Sequence, residues 1–149
     1  MPRPLLLLLL ALVLGCHRYR DRVHLGGPTF DASAIAADPH SFALPQQVAT
    51  TSIALALDVS FDARTIAGIA TFELRRSDPA APLVLDTRGL AIESVEQSAR
   101  GDAWSAATWR LDPVDARLGA ALRITLRPDT TMVRVAYRTS PDASGLQWL

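Results

Sequence analysis

Apolar residues recur at every second position between residues 53 and 74, and this period of two limits the fold more than any other feature. Alternate residues of an extended strand point to opposite faces, so the pattern is typical of strands with one buried face. The turn at 62–65 separates two such runs, which predicts an antiparallel hairpin. The set predicted to face inward comprises Ile53, Leu55, Leu57, Val59 and Phe61, followed by Ile66, Gly68, Ala70, Phe72 and Leu74.

Further short runs with strand character lie at 83–86, 90–95, 104–111, 122–126 and 133–137. The two prolines of the segment 78–82 predict a loop, because proline lacks the N–H that a sheet ladder needs. The last two runs alternate on either side of 128–131, which predicts a second hairpin. No run beyond residue 50 keeps a helical period. The chain is therefore predicted to be all-β, an antiparallel sandwich or saddle-shaped domain of about seven strands.

The beginning of the chain has the pattern of an export signal. Arg3 precedes an unbroken apolar run at 5–14, and Gly15 stands before Cys16, the chain's single cysteine. The run is shorter than the roughly 20 residues that a membrane-spanning helix needs. A small residue before the cysteine resembles the lipobox of bacterial lipoproteins, where the cysteine is acylated. Residues 1–15 are therefore predicted to be a cleavable lipoprotein signal peptide and Cys16 the lipidation site, the alternative being an ordinary secretory signal.

The segment after the signal predicts where the protein resides. His17, rather than Asp, follows Cys16, which favours the outer membrane with the domain facing the periplasm. Residues 16–37 show no sustained period and are predicted to be an irregular tether or linker.

Residue types with catalytic or metal-binding chemistry are few. The three histidines, at 17, 24 and 40, do not form an HExxH pair, and one cysteine cannot make a disulfide. The 15 basic and 15 acidic residues cancel, which argues against a nucleic-acid-binding domain. The sequence predicts neither catalytic residues nor a cofactor or metal site in this chain.

Four arginines alternate with the apolar residues of the second predicted hairpin and are expected to project from its outer face: Arg123, Arg127, Arg134 and Arg138. Guanidinium groups in such a patch fit phosphates or lipid headgroups at the membrane surface. The favoured interpretation, however, is a solvated face or one that contacts acidic partners.

Three segments in order resemble one enzyme family: DPHSFALPQQVATTSIALALDVSFDARTIAGIATFEL at 38–74, LVLDTRGLAIESVE at 83–96 and VRVAYRTSPDASGLQWL at 133–149. They are similar to the N-terminal part of the aminopeptidase N and leukotriene hydrolase-like zinc metallopeptidases, the gluzincins. The resemblance spans residues 38–149 and is weaker at 97–121. Gly145 stands where that branch more often has alanine.

The resemblance implies that 38–149 is the N-terminal β domain of a zinc aminopeptidase, packed in such enzymes against a thermolysin-like catalytic domain. Zinc and its ligands belong to that catalytic domain, and none of the family's site residues has a counterpart in this chain. The closing residues Trp148 and Leu149 are expected to contact the catalytic domain. The chain is interpreted as a fragment or truncated form, inactive alone.

Two alternatives remain open beside this interpretation. The first is a free-standing lipoprotein module that binds a partner without catalysis, and the second is a hydrolase in its own right. An exposed apolar, concave surface that includes Trp148 and Leu149 favours the enzyme-domain hypothesis. A polar surface, with the C-terminus paired into a sheet, favours the binding module.

Overall fold

The computed structural model describes residues 38–149, and the predicted signal, Cys16 and tether lie outside them. The fold is all-β, as predicted, with two antiparallel sheets. The strands are β1 Val48–Ser60, β2 Thr65–Arg76, β3 Leu83–Thr87, β4 Leu90–Ser98, β5 Ser105–Ala106, β6 Trp109–Leu111, β7 Ala120–Ile124 and β8 Met132–Thr139. Their order is β1-β2-β8-β4-β5 in the five-stranded sheet and β3-β7-β6 in the three-stranded sheet. Over this part of the chain, no helix is long and apolar enough to cross a membrane.

The first predicted hairpin is confirmed. β1 pairs with β2 from Ser60 opposite Thr65 to Val48 opposite Arg76, with a bulge between Thr50 and Ser52. Arg64 turns the chain in the left-handed region, with a φ of 51°. The register and strand boundaries therefore match the period of two on which the hairpin was predicted.

The second predicted hairpin is wrong, because its two strands belong to different sheets. β7 pairs with β3 and β6, whereas β8 pairs with β2 and β4. The connection between β7 and β8 is held by side chains from other strands: Gln97 Oε1 accepts the Arg127 N–H at 2.9 Å, and Arg76 donates to the Arg127 and Pro128 carbonyls. Pro128 has no N–H for a ladder, and the chain crosses from one sheet to the other at this point.

The core lies between the two sheets. Leu83, Leu122 and Ile124 come from the three-stranded sheet, while Val133 and Val95 come from the five-stranded sheet, and all are at most 2% exposed. The apolar residues of β7 and β8 thus share one core, although no hydrogen-bond ladder joins their strands. The predicted inward faces are correct here, and only the predicted pairing is wrong.

The run predicted as one strand at 104–111 is two short strands in different sheets. β5 pairs with β4, and β6 pairs with β7, so the described fold has eight strands rather than about seven. Trp109 packs against the core, whereas Trp104 lies below the Arg134 guanidinium, whose Cζ is 4.5 Å from the ring centroid. The two tryptophans therefore occupy different environments.

The inward face predicted for β1 is not covered. β1 is an edge strand, and the buried residues concentrate where the three-stranded sheet packs against β2, β4 and β8. Beyond Val48, most of β1 is therefore exposed on both faces. The prediction that its apolar set is buried is wrong within residues 38–149.

Candidate functional site

Five apolar side chains on one face of β1 and its turn form the most prominent surface feature, here called the β1 stripe: Ile53, Leu55, Leu57, Val59 and Phe61. Their exposed fractions run from 43% at Val59 to 74% at Phe61. Their β2 neighbours in register, Phe72 and Ala70, continue the same face toward the core. Soluble monomers rarely expose a continuous apolar area of this kind, which marks it as an interaction surface.

A groove of about 310 Å³ separates the β1 stripe from the three-stranded sheet. Ile53 and Leu55 line one side, Phe72 and Tyr137 line it from the same sheet, and Leu85 lines it from β3. The lining is predominantly apolar, so the groove fits apolar side chains better than a charged substrate.

The polar groups at the rim of the groove are already engaged by the protein. The Asp86 carboxylate accepts hydrogen bonds from Ser41 Oγ at 2.6 Å and from the Phe42 N–H at 2.8 Å. The Thr87 hydroxyl donates to the Ala120 carbonyl at 2.8 Å. These bonds fasten the segment before β1 and the end of β3, so Asp86 and Thr87 have structural roles at the groove.

A small residue allows close packing at the far end of the β1 stripe. A Cβ on Gly68 would lie 2.8 Å from Leu57 Cδ2 and 2.9 Å from the Tyr137 hydroxyl. The absence of a side chain at Gly68 therefore lets Leu57 and Tyr137 lie over the backbone of β2. Sequence analysis placed Gly68 on the inward face but did not identify this contact.

The closing residues adjoin the same surface. The ring of Trp148 meets that of Phe61 edge-on, with centroids 5.9 Å apart and an interplanar angle of 88°. Leu149 is fully exposed, and residues 146–149 lie outside the strands. This geometry fits the surface expected for an enzyme domain and not a C-terminus paired into a sheet. Contact of Trp148 and Leu149 with a catalytic domain remains a prediction.

The four predicted surface arginines do not share one face. Arg123 lies on β7, Arg134 and Arg138 lie on β8, and Arg127 lies in the connection between them, so the common hairpin face is a wrong expectation. Each guanidinium has a carboxylate partner: Arg123 with Asp112 at 2.6 Å, Arg134 with Glu96 at 2.7 Å, Arg138 with Glu93 at 3.2 Å and Arg127 with Asp129 at 3.6 Å. Contact with lipid or an acidic partner remains a prediction, although these pairs offset the charge that would drive it.

A buried polar cluster beside this connection was missed by sequence analysis. Gln97 and Thr130 are 4% and 2% exposed, and the Thr130 hydroxyl donates to Gln97 Oε1 at 2.6 Å. Thr131 continues the anchoring, because its N–H donates to the Ser98 carbonyl at 3.0 Å. Gln97 and Thr130 are 33 residues apart in sequence. The local pattern around each residue therefore does not indicate that their side chains form a hydrogen bond.

Metal-binding and acid–base chemistry have little support in the described part of the chain. Residues 38–149 contain no group of three or more His, Cys, Asp or Glu side chains that could hold a metal ion. The backbone N–H groups of Leu118 and Arg117 lower the pKa of Asp115, which stabilises a turn on the surface. The apolar side chains of the β1 stripe and of the groove are suited to contacts with other apolar groups.

Comparison with curated proteins identifies relatives among two kinds of enzyme. The chain is 35% identical over 119 residues to leukotriene A-4 hydrolase of Xenopus laevis, a match covering 76% of this chain and 19% of that protein. It is 30% identical over 115 residues to leucine aminopeptidase 2 of Yarrowia lipolytica, covering 75% and 17%. No protein-family model matches the sequence. The chain thus spans about a fifth of the length of these relatives.

Solved structures agree with the sequence comparison. Native yeast leukotriene A4 hydrolase matches with a TM-score of 0.68 and 26% identity, over 78% of this chain and 18% of that one. The same enzyme in complex with bestatin also gives 0.68 and 26%, over 83% and 19%. The likeness is to the N-terminal region of these enzymes, so the resemblance on which the fold was predicted is confirmed.

Proposed function

We propose that this homologue of leukotriene A-4 hydrolase and leucine aminopeptidase 2 is the non-catalytic N-terminal β domain of a zinc-dependent aminopeptidase. The zinc-binding catalytic domain of that enzyme lies outside these 149 residues. The β domain supplies a packing surface, and the chain alone does not hydrolyse peptides. Zinc is the cofactor of the complete enzyme only.

The observation that carries this proposal is the uncovered β1 stripe with its adjoining groove. Burying a large aliphatic or aromatic side chain contributes about 1.5–3 kcal/mol, so leaving five of them between 43% and 74% exposed forgoes much stability. Period-two alternation from Ile53 to Phe61 is the pattern of a strand whose apolar face is covered. A covering element outside residues 38–149 accounts for both features.

The chain matches only a small part of each relative, and this also supports its assignment as one domain of a larger enzyme. A match limited to 19% of leukotriene A-4 hydrolase leaves most of that enzyme for other domains. The exposed apolar surface beside Phe61 and Trp148 favours this proposal over a free-standing binding module, for which a polar surface was expected.

Membrane attachment forms the second part of the proposal. Export under the signal at 1–15 and acylation of Cys16 would hold the domain on the outer membrane, facing the periplasm, because several acyl chains anchor a protein stably. Labelled palmitate should enter the wild-type chain and be absent from Cys16→Ser. Incorporation that survives this substitution would overturn the anchor assignment and leave the domain assignment unaffected.

The domain assignment is tested by activity and by the neighbouring gene sequence. The purified chain should neither cleave leucine p-nitroanilide nor bind zinc stoichiometrically. The DNA after codon 149 should encode HExxH, in frame or after a frameshift, and co-expression of that remainder should yield a zinc-dependent aminopeptidase. Cleavage by the chain alone, or unrelated sequence downstream, would overturn the proposal.

A further inference from the structure

β1 presents an unpaired backbone edge in addition to its apolar stripe. It is the outermost strand of the five-stranded sheet, and within residues 38–149 its only strand partner is β2. In an antiparallel pair, every second residue of an edge strand directs its N–H and C=O away from the neighbour. The nine residues after the bulge, 52–60, therefore offer a row of free donors and acceptors.

Over residues 52–60, this edge lacks most of the features with which natural sheets prevent edge-to-edge pairing. Such edges are short, or carry lysine, proline or inward-pointing charges. β1 has 13 residues with neither lysine nor proline, and Asp58 is its single charged residue. The bulge between Thr50 and Ser52 interrupts the pairing of β1 with β2 only near the start of β1. From Ser52 to Ser60 the register is regular.

We propose that two copies of this chain associate by antiparallel pairing of their β1 edges, which joins the two five-stranded sheets into one. The proposal rests on the edge itself and does not depend on the enzyme-domain assignment. A second copy fits because the segment is self-complementary: a two-fold axis places an identical, weakly charged strand opposite each edge.

The side chains and the one charge select the register. Residues directly opposed across an antiparallel pair lie on the same face, so the β1 stripes of two copies become continuous only when odd-numbered residues oppose odd-numbered residues. A two-fold axis at Leu55 opposes Ile53 to Leu57 and Asp58 to Ser52, so the carboxylate meets a hydroxyl. An axis near Asp58 would oppose the two carboxylates, which is destabilising. Axes at residues 54, 56 and 57 also keep the two stripes continuous. Among axes at 54–57, only the one at Leu55 places Asp58 opposite a hydroxyl within residues 52–60, so the register centred on Leu55 is the one inferred.

The first test changes the charge of the edge without touching the stripe. Ala54 and Ala56 are exposed on the other face of β1 and oppose each other across the Leu55 axis. In the full chain, the double substitution Ala54→Lys with Ala56→Lys should weaken dimerisation, measured by sedimentation equilibrium, by at least about tenfold because it opposes like charges. The matched control is Val114→Lys with Ala116→Lys, which adds the same charge at the same spacing in an exposed loop and should leave the dimer intact.

The second test locates the axis by crosslinking. In a chain with Cys16→Ser, Leu55→Cys should crosslink efficiently through a short bismaleimide, because opposed Cβ atoms lie about 4.5–5.5 Å apart. Val59→Cys should not, because its two copies would be about 26 Å apart along the strands at 3.3 Å per residue. A chain that stays monomeric up to its highest soluble concentration would overturn the proposal. Association unchanged by the lysines at 54 and 56, or equal crosslinking at 55 and 59, would overturn it as well.

Discussion

The hydroxyl of Thr130 donates a 2.6 Å hydrogen bond to Oε1 of Gln97, and both side chains are buried between the sheets. The same oxygen accepts the N–H of Arg127, so one amide group holds the chain where it passes from β7 to β8. The crossing, rather than a hairpin, brings Leu122 and Val133 into one core. Gln97 therefore helps to determine the arrangement of the two sheets.

Removing the Gln97 amide should destabilise the domain markedly. Gln97→Ala leaves the part-buried Arg127 N–H and the buried Thr130 hydroxyl without their acceptor, and an unsatisfied buried group costs about 1–3 kcal/mol. Thr130→Val removes one donor and leaves the bond to the Arg127 N–H, so its effect should be smaller. Urea unfolding of both single variants and the double variant gives the coupling energy. Coupling indistinguishable from zero would mean that the two residues act independently.

Two glycines with similar backbone angles should respond differently to alanine. Gly119 and Gly145 have φ values of 86° and 89°, a region that costs a residue with a Cβ about 1–2 kcal/mol. A Cβ at Gly119 would also overlap the Thr87 carbonyl oxygen, whereas nothing lies within 4 Å of one at Gly145. Gly119→Ala should therefore lower the free energy of unfolding clearly more than Gly145→Ala. Equal losses would show that backbone conformation alone governs both sites.

Period two predicted which faces are apolar but not which strands pair. Leu122 and Val133 alternate in the same way whether their strands form a hairpin or face each other from different sheets. The choice depends on Gln97 and Arg76, whose contacts with the connection span 30 and 51 residues of sequence. Side-chain contacts over such separations leave no local pattern. The sequence pattern therefore could not distinguish a hairpin between β7 and β8 from a connection that crosses between the two sheets.

At the β1 stripe, too, period-two alternation predicted an apolar face but not what covers that face. Alternation at Ile53 and Leu55 correctly predicted an apolar face, because periodicity records which side of a strand avoids water. It does not record whether these residues themselves cover that face, and within residues 38–149 the face is exposed. The expectation of a packing surface near Trp148 came from the family resemblance. The presence of a tryptophan at this position would not have predicted such a surface.

Acid should remove the stabilisation contributed by Asp115. Its carboxylate accepts the N–H groups of Leu118 and Arg117, which lower its pKa in the folded state. A lowered folded pKa contributes stability above the ordinary value of about 3.9 and loses it as pH falls through the folded value. Stability of wild type relative to Asp115→Ala should therefore be constant at neutral pH and decline below about pH 4. Asp115→Asn retains an uncharged acceptor, so its advantage over Ala should not vary with pH over this range, and carboxyl titration by NMR should place the Asp115 pKa below the ordinary value for aspartate.

Truncating a leucine to alanine should change the free energy of unfolding little in the β1 stripe and strongly in the core. Leu55 is 59% exposed, so Leu55→Ala should change the free energy of unfolding of this chain by at most about 0.5 kcal/mol. Leu122 is 1% exposed, and Leu122→Ala creates a cavity that should cost about 2–5 kcal/mol. The measurement is urea unfolding below the concentration at which the chain associates, because pairing of β1 would add a stabilising term to Leu55. A loss at Leu55 close to that at Leu122 would mean that the stripe is already covered within this chain, which would remove the basis for assigning it to an outside domain.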